Sequence, residues 1–158
     1  MELIYENNTK YFLTITFPHN TSNASSEILL NRLIVELNRS IYKKRYLNHS
    51  EYLKGLAIRE YTSKMSCAHY HITIFENATY PLPEIKSLEK KLNKAVKFIN
   101  KSTNKNGIHT FKLQEYYETG KLSLEKYVTK QFDGFSHQDM CNDSMGILDS
   151  NGAIFGIN

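Results

Sequence analysis

Tryptophan is absent from this chain, and cysteine nearly so, with Cys67 and Cys141 the only two. Two cysteines so placed make no disulfide framework and have no metal-type spacing between them. The opening Met1-Glu2-Leu3-Ile4-Tyr5-Glu6 lacks a basic segment, and no long apolar run follows. A secretory leader and a membrane span are therefore not expected. Matches to Asn-x-Ser/Thr, such as Asn77-Ala78-Thr79, then carry no meaning for glycosylation, and a reducing, cytoplasmic setting is expected. Internal repeats and low-complexity tracts are missing too, so residues 1–158 read as one domain.

What is present fits an ordinary globular protein. A hydrophobic content of 41% excludes general disorder. The net charge of +4 permits nucleic-acid binding without requiring it. Eleven tyrosines and eight phenylalanines supply flat rings for a core or for stacking on bases.

The order of elements follows from periodicity. Residues 1–10 are polar and read as a lead-in. Residues 11–17 are β-branched and aromatic and are followed by Pro18, the pattern of a strand. Leu13, Ile15 and Phe17 share one face of it, and Phe12, Thr14 and Thr16 the other. After a loop of turn formers, in which Ser25 or Ser26 can cap the next element, Ile28, Leu29, Leu33, Ile34, Leu37 and Ile41 recur at helical spacing. Arg32, Arg39, Lys43, Lys44 and Arg45 lie along or just after this helix, as a solvated face or as a DNA contact. Residues 53–61 read as a second strand, 62–67 as a hairpin loop and 68–75 as a third strand. Past Pro81 and Pro83, the residues Leu88, Leu92, Ala95, Val96 and Ile99 mark a second helix with lysines between them. A strand over 108–113, a tyrosine-bearing loop over 115–120, a helix over 121–132 and a closing hairpin over 145–157 complete the chain. Such a mixture predicts an α+β fold.

The third strand carries the chemistry. In Ala68-His69-Tyr70-His71-Ile72-Thr73-Ile74-Phe75 the histidines are two apart, so they project side by side from one face of a sheet. Two imidazoles so placed can share one divalent ion. If Tyr61 pairs with Ala68 across the hairpin, Glu60 lies opposite His69 and on the same face. His69, His71 and Glu60 then make a three-ligand site with open positions, suited to Mg²⁺ or Mn²⁺. A register slip of one residue turns Glu60 away, leaving it an exposed carboxylate for Arg59 or a lysine. Tyr127, Lys130 and Gln131 fall along one flank of the last helix, bordering its stripe of Leu124, Val128 and Phe132. From there Tyr127 either reaches over the sheet as a nucleophile, its ionisation aided by Lys130, or packs at the helix–sheet boundary.

These pieces, in this order, resemble the HUH endonucleases, most closely the rolling-circle replication initiators of bacterial plasmids and single-stranded DNA phages. Residues 11–16 look like the first motif of that family, His69-Tyr70-His71 like the second, and Tyr127-Val128-Thr129-Lys130 like the third. Glu60 sits where several members carry a third metal ligand. The resemblance implies an antiparallel sheet of about five strands with helices packed on one face, related to the RNA-recognition fold. It implies metal-dependent, site-specific nicking and joining of single-stranded DNA at a replication origin, through a 5′-phosphotyrosine on Tyr127. A bacterial cytoplasm, a monomer or weak dimer and a host replication helicase as partner follow from it, while Lys126 and Lys130 are expected to contact the DNA on their proximity to Tyr127 alone. Gln131, four residues after the tyrosine, is similar to a metal ligand of single-tyrosine transposases in the same superfamily and keeps that alternative open. A non-catalytic single-strand-binding module is the other.

Overall fold

The computed structural model of the chain describes residues 8–60, 67–103, 107–116 and 145–155. The elements are β1 (Thr9–His19), α1 (Asn23–Tyr42), the single-turn α2 (Lys44–Leu47), β2 (Gly55–Glu60), β3 (Cys67–Phe75), α3 (Ile85–Ser102), β4 (Thr110–Glu115), β5 (Met145–Asp149) and β6 (Gly152–Phe155). The strands form one open antiparallel sheet in the order β4-β1-β3-β2-β5-β6. Through β4, and setting α2 aside, the chain runs βαββαβ, the split-βαβ arrangement. The fold is thus the expected α+β, with six strands among the described residues rather than about five. The extra strand is half of the closing hairpin, which docks on the outer edge of β2.

One face of the sheet is sealed by α1 and α3. Tyr11, Leu13, Ile15 and Phe17 of β1, Ala57 of β2, and Tyr70, Ile72 and Ile74 of β3 form a core with Leu30, Leu33, Ile34 and Leu37 of α1 and Leu88, Leu92 and Ile99 of α3. The alternation along β1 and the 3-4 spacing along each helix cause this, since each puts its apolar residues on one side. Three polar links tie α1 to the strands, one of them the Ala153 amide of β6 donating to Asn31 Oδ1 at 2.8 Å. The Tyr70 and Ser26 hydroxyls lie 2.8 Å apart. Arg59, buried on the helix side of β2, pairs with Glu27.

Boundaries differ from the sequence reading where caps and bulges intervene. Ser22, not Ser25 or Ser26, caps α1: its side chain accepts from the Ser25 amide. That frees Ser26 for its buried contact with Tyr70. β1 runs past Pro18, which falls where the ladder to β3 shifts between Thr16 and His19 and no N–H is demanded of it. The helix expected over 121–132, with Lys126, Tyr127, Lys130 and Gln131, lies outside the described residues, as do residues 61–66, the end of the expected second strand and most of the hairpin loop expected over 62–67. Among the described residues no helix is long and apolar enough to cross a membrane.

Gly55 sets how closely β2 meets β3. A Cβ at this position would stand 1.8 Å from the Thr73 carbonyl oxygen, a backbone atom that cannot swing aside. Gly55→Ala should lower stability by roughly 2 kcal/mol or more, the cost of overpacking a closed site. Urea unfolding checks this: the midpoint should fall, and an unchanged midpoint would show that the strands separate here without cost.

Candidate functional site

The face of the sheet away from the helices carries the polar residues. Residues paired across antiparallel strands share a face, so the registers can be read as rows. One row is Thr110, Thr16, His69 and Glu60, on β4, β1, β3 and β2. The next is Lys112, Thr14, His71, Ile58 and Met145, reaching β5. Glu60 therefore stands opposite His69, in the register that the hairpin pattern predicts. Its carboxylate reaches diagonally to His71, with Oε2 3.0 Å from Nε2. Arg59 points to the other face and to Glu27, so it does not compete for Glu60 there.

Each imidazole is held from behind by a threonine of β1. His71 Nδ1 lies 3.2 Å from Thr14 Oγ1, and His69 Nδ1 lies 3.3 Å from Thr16 Oγ1. Phe12 stacks on the His71 ring, with centroids 5.7 Å apart and planes 21° from parallel. The rings thus have fixed orientations, with their Nε2 atoms turned away from β1. A threonine hydroxyl both donates and accepts, so it suits either neutral tautomer. For His71, a carboxylate at Nε2 selects the tautomer in which Nε2–H donates to Glu60 and the Thr14 hydroxyl donates to Nδ1. His69 differs. Its Nε2 is buried with no hydrogen-bond partner among the described residues. Donation from Nδ1–H to Thr16 leaves that Nε2 with a lone pair that no polar group among the described residues meets.

An orphaned, buried imidazole nitrogen beside a His–Glu pair is the donor set a divalent ion takes. For His69, donation from Nδ1–H to Thr16 is the usual support for a ligating histidine, and His71 takes the same arrangement once its Nε2 proton is lost and the Thr14 hydroxyl turns to accept. Among the described residues no three His, Cys, Asp or Glu side chains close into a metal cage, and the direct contact is the pair His71–Glu60. The site is also less open than a bare sheet face. His71 is only 8% exposed, and Leu56, Ile58 and Thr73 on the same face are buried.

The roles of Thr14 and Thr16 were not assigned from sequence, although both were placed on the correct face of β1. The signal lay in matching alternation, two threonines two apart on one strand and two histidines two apart on its neighbour. The predicted partners on the last helix, Tyr127, Lys130, Gln131 and Lys126, lie outside the described residues. Set against protein-family models, curated proteins and solved structures, the chain gives no match.

Burial holds the His71 imidazole below its ordinary pKa, His69 acts in the same direction, and the bond and charge of Glu60 pull the other way. His71 is therefore neutral at pH 7. Unfolded, it titrates near 6.5. Between the two values the unfolded chain binds more protons, so the contribution of His71 to stability is complete above about 6.5 and declines as pH falls toward the folded value. An NMR titration of the His71 ring should give a midpoint below 6.5. A midpoint above it would show that the attraction of Glu60 outweighs burial.

Proposed function

We propose that the chain is a metal-dependent, single-tyrosine nicking and joining enzyme for single-stranded DNA, of the HUH type that initiates rolling-circle replication. The observation that carries this reading is the orphaned Nε2 of His69 beside the His71–Glu60 pair, with both imidazoles backed by threonines. His69, His71 and Glu60 would hold Mg²⁺ or Mn²⁺, which when bound polarises a phosphodiester. The order of the three sequence motifs supplies the rest.

Tyr127 is the nucleophile in this reading. Its oxygen forms a bond to phosphorus as the bond to the 3′ oxygen breaks. The phenolic proton is lost and the departing 3′ oxygen gains one. One phosphodiester replaces another, so the step reverses readily and permits rejoining. Lys130 favours ionisation of the phenol through its charge. Thr14 and Thr16 hold the imidazoles at fixed angles, and Phe12 limits water around His71. The substrate is a single strand at an origin. A host replication helicase as partner, a bacterial cytoplasm, and a monomer or weak dimer belong to the same proposal.

The test is incubation with a labelled pool of random-sequence single-stranded oligonucleotides and Mn²⁺, followed by denaturing electrophoresis. A covalent protein–DNA band is expected, and mass spectrometry should place the nucleotide on Tyr127. Tyr127→Phe should retain DNA affinity and lose the band, and His71→Ala should lose cleavage while staying folded. A band that persists in Tyr127→Phe, or an adduct on Tyr116 or Tyr117, removes the assigned nucleophile. Binding without any adduct in the wild-type chain selects the non-catalytic single-strand-binding reading. Unchanged cleavage by His71→Ala rejects the metal role.

A further inference from the structure

The positive charge of this protein is gathered in one place. α3 holds six lysines and a single glutamate, while the whole chain has 20 basic and 16 acidic residues and a net charge of +4. Without α3 the chain would be net negative. Lys86, Lys90, Lys94, Lys97 and Lys101 follow one another at the three- and four-residue spacings that keep side chains on one line of a helix. All five are exposed, and among the described residues none forms an ion pair. The opposite line, Leu88, Leu92, Ala95 and Ile99, is buried. At a rise of about 1.5 Å per residue the lysine row is roughly 22 Å long, with neighbours about 6 Å apart.

Two contacts orient the row. The sixth lysine, Lys91, donates to the Ser40 carbonyl at 2.9 Å, and Arg32 donates to the Ser102 hydroxyl at 2.9 Å. α3 is therefore antiparallel to α1, and the first end of the row lies toward the exposed Lys43 and Lys44 that follow α1. Phe98, 56% exposed, stands beside Lys94 and Lys101 as the only aromatic ring of the helix.

We propose that this face of α3 binds the phosphate backbone of duplex DNA without reading its sequence. It lies on the side of the sheet opposite His69 and His71 and does not depend on the nicking reading. A rigid, convex row of ammonium groups suits a surface that carries one negative charge per about 1.7 Å of axis. Lysine contacts to phosphate give position and affinity, not base discrimination. A single strand is instead held in a groove with several stacking rings, and α3 offers one ring on a convex surface. A membrane surface requires a free apolar helix face, and that of α3 is closed against the sheet.

The experiment is fluorescence anisotropy of a labelled 20-base-pair duplex with the full chain, free of divalent ions, as salt rises. Five neutralised phosphates give a slope of log affinity on log salt of about −4.5, or roughly 500-fold loss between 50 and 200 mM. Lys90→Gln/Lys94→Gln/Lys97→Gln should reduce the slope to about −1.8, or roughly 12-fold over the same range. Lys54→Gln, at an exposed lysine outside α3, should leave the duplex slope unaltered. An unchanged slope in the triple variant overturns the proposal. So does tighter, lysine-dependent binding of a single strand of the same length. Lysine-dependent binding to anionic phosphatidylserine vesicles, with duplex affinity unaffected by the substitutions, assigns the face to membranes instead.

Discussion

The pairing of β3 between β1 and β2 is the constraint on which the candidate site rests. A strand hydrogen-bonded on both sides has no freedom of register. Here the register is fixed on one side by the hydrophobic alternation of β1 and on the other by the close approach of Gly55 to Thr73. Everything polar on the site face inherits its position from that lock. Threonines meet imidazoles on the β1 side, and a carboxylate meets them on the β2 side. No loop residue is needed to bring these five side chains together, so the precision of the site is that of the sheet.

The helix face makes the lock affordable in a chain of this size. α1 and α3 cover one side with aliphatic residues at regular helical spacing, and the polar rows are left to the other. Two polar groups on the core side of the strands, Arg59 and the Tyr70 hydroxyl, meet the first turns of α1. A buried guanidinium without its carboxylate would be strongly destabilising. The start of α1 is therefore coupled to β2 and β3 electrostatically as well as by packing, and Ser22 fixes where that start falls.

Much of this was legible in the sequence because period-two alternation is unambiguous when a strand is buried on one side. The faces of β1, β2 and β3, the hairpin register that sets Glu60 against His69, and the closing β5–β6 hairpin all follow from residue order. The cap of α1 was misplaced because three serines crowd the same turn, and backbone geometry rather than composition decides which one accepts an amide. The place of the closing hairpin in the sheet was not legible, because a hairpin recognised from its turn does not say which sheet edge it will join. The burial of His71 was not legible, since alternation tells which face a residue takes and not how well that face is shielded. The threonine contacts were legible only in part: their face was evident, their partners were not, because β1 and β3 are joined through long-range pairing that no local pattern announces.

The opposition of Arg59 and Glu60 has a consequence for how the gene can vary in length. These neighbours carry opposite charges to opposite faces, Arg59 to Glu27 in the core and Glu60 to His71 in the site. Gain or loss of one codon between Gly55 and Arg59 would exchange them, setting a guanidinium against the imidazoles and a carboxylate against aliphatic side chains. Both errors arise together, and neither can be relieved by a change of rotamer. A two-codon change preserves the faces and alters only the overhang of the strand. Length variation in β2 is therefore filtered by parity, a restriction that the segments joining the strands do not share.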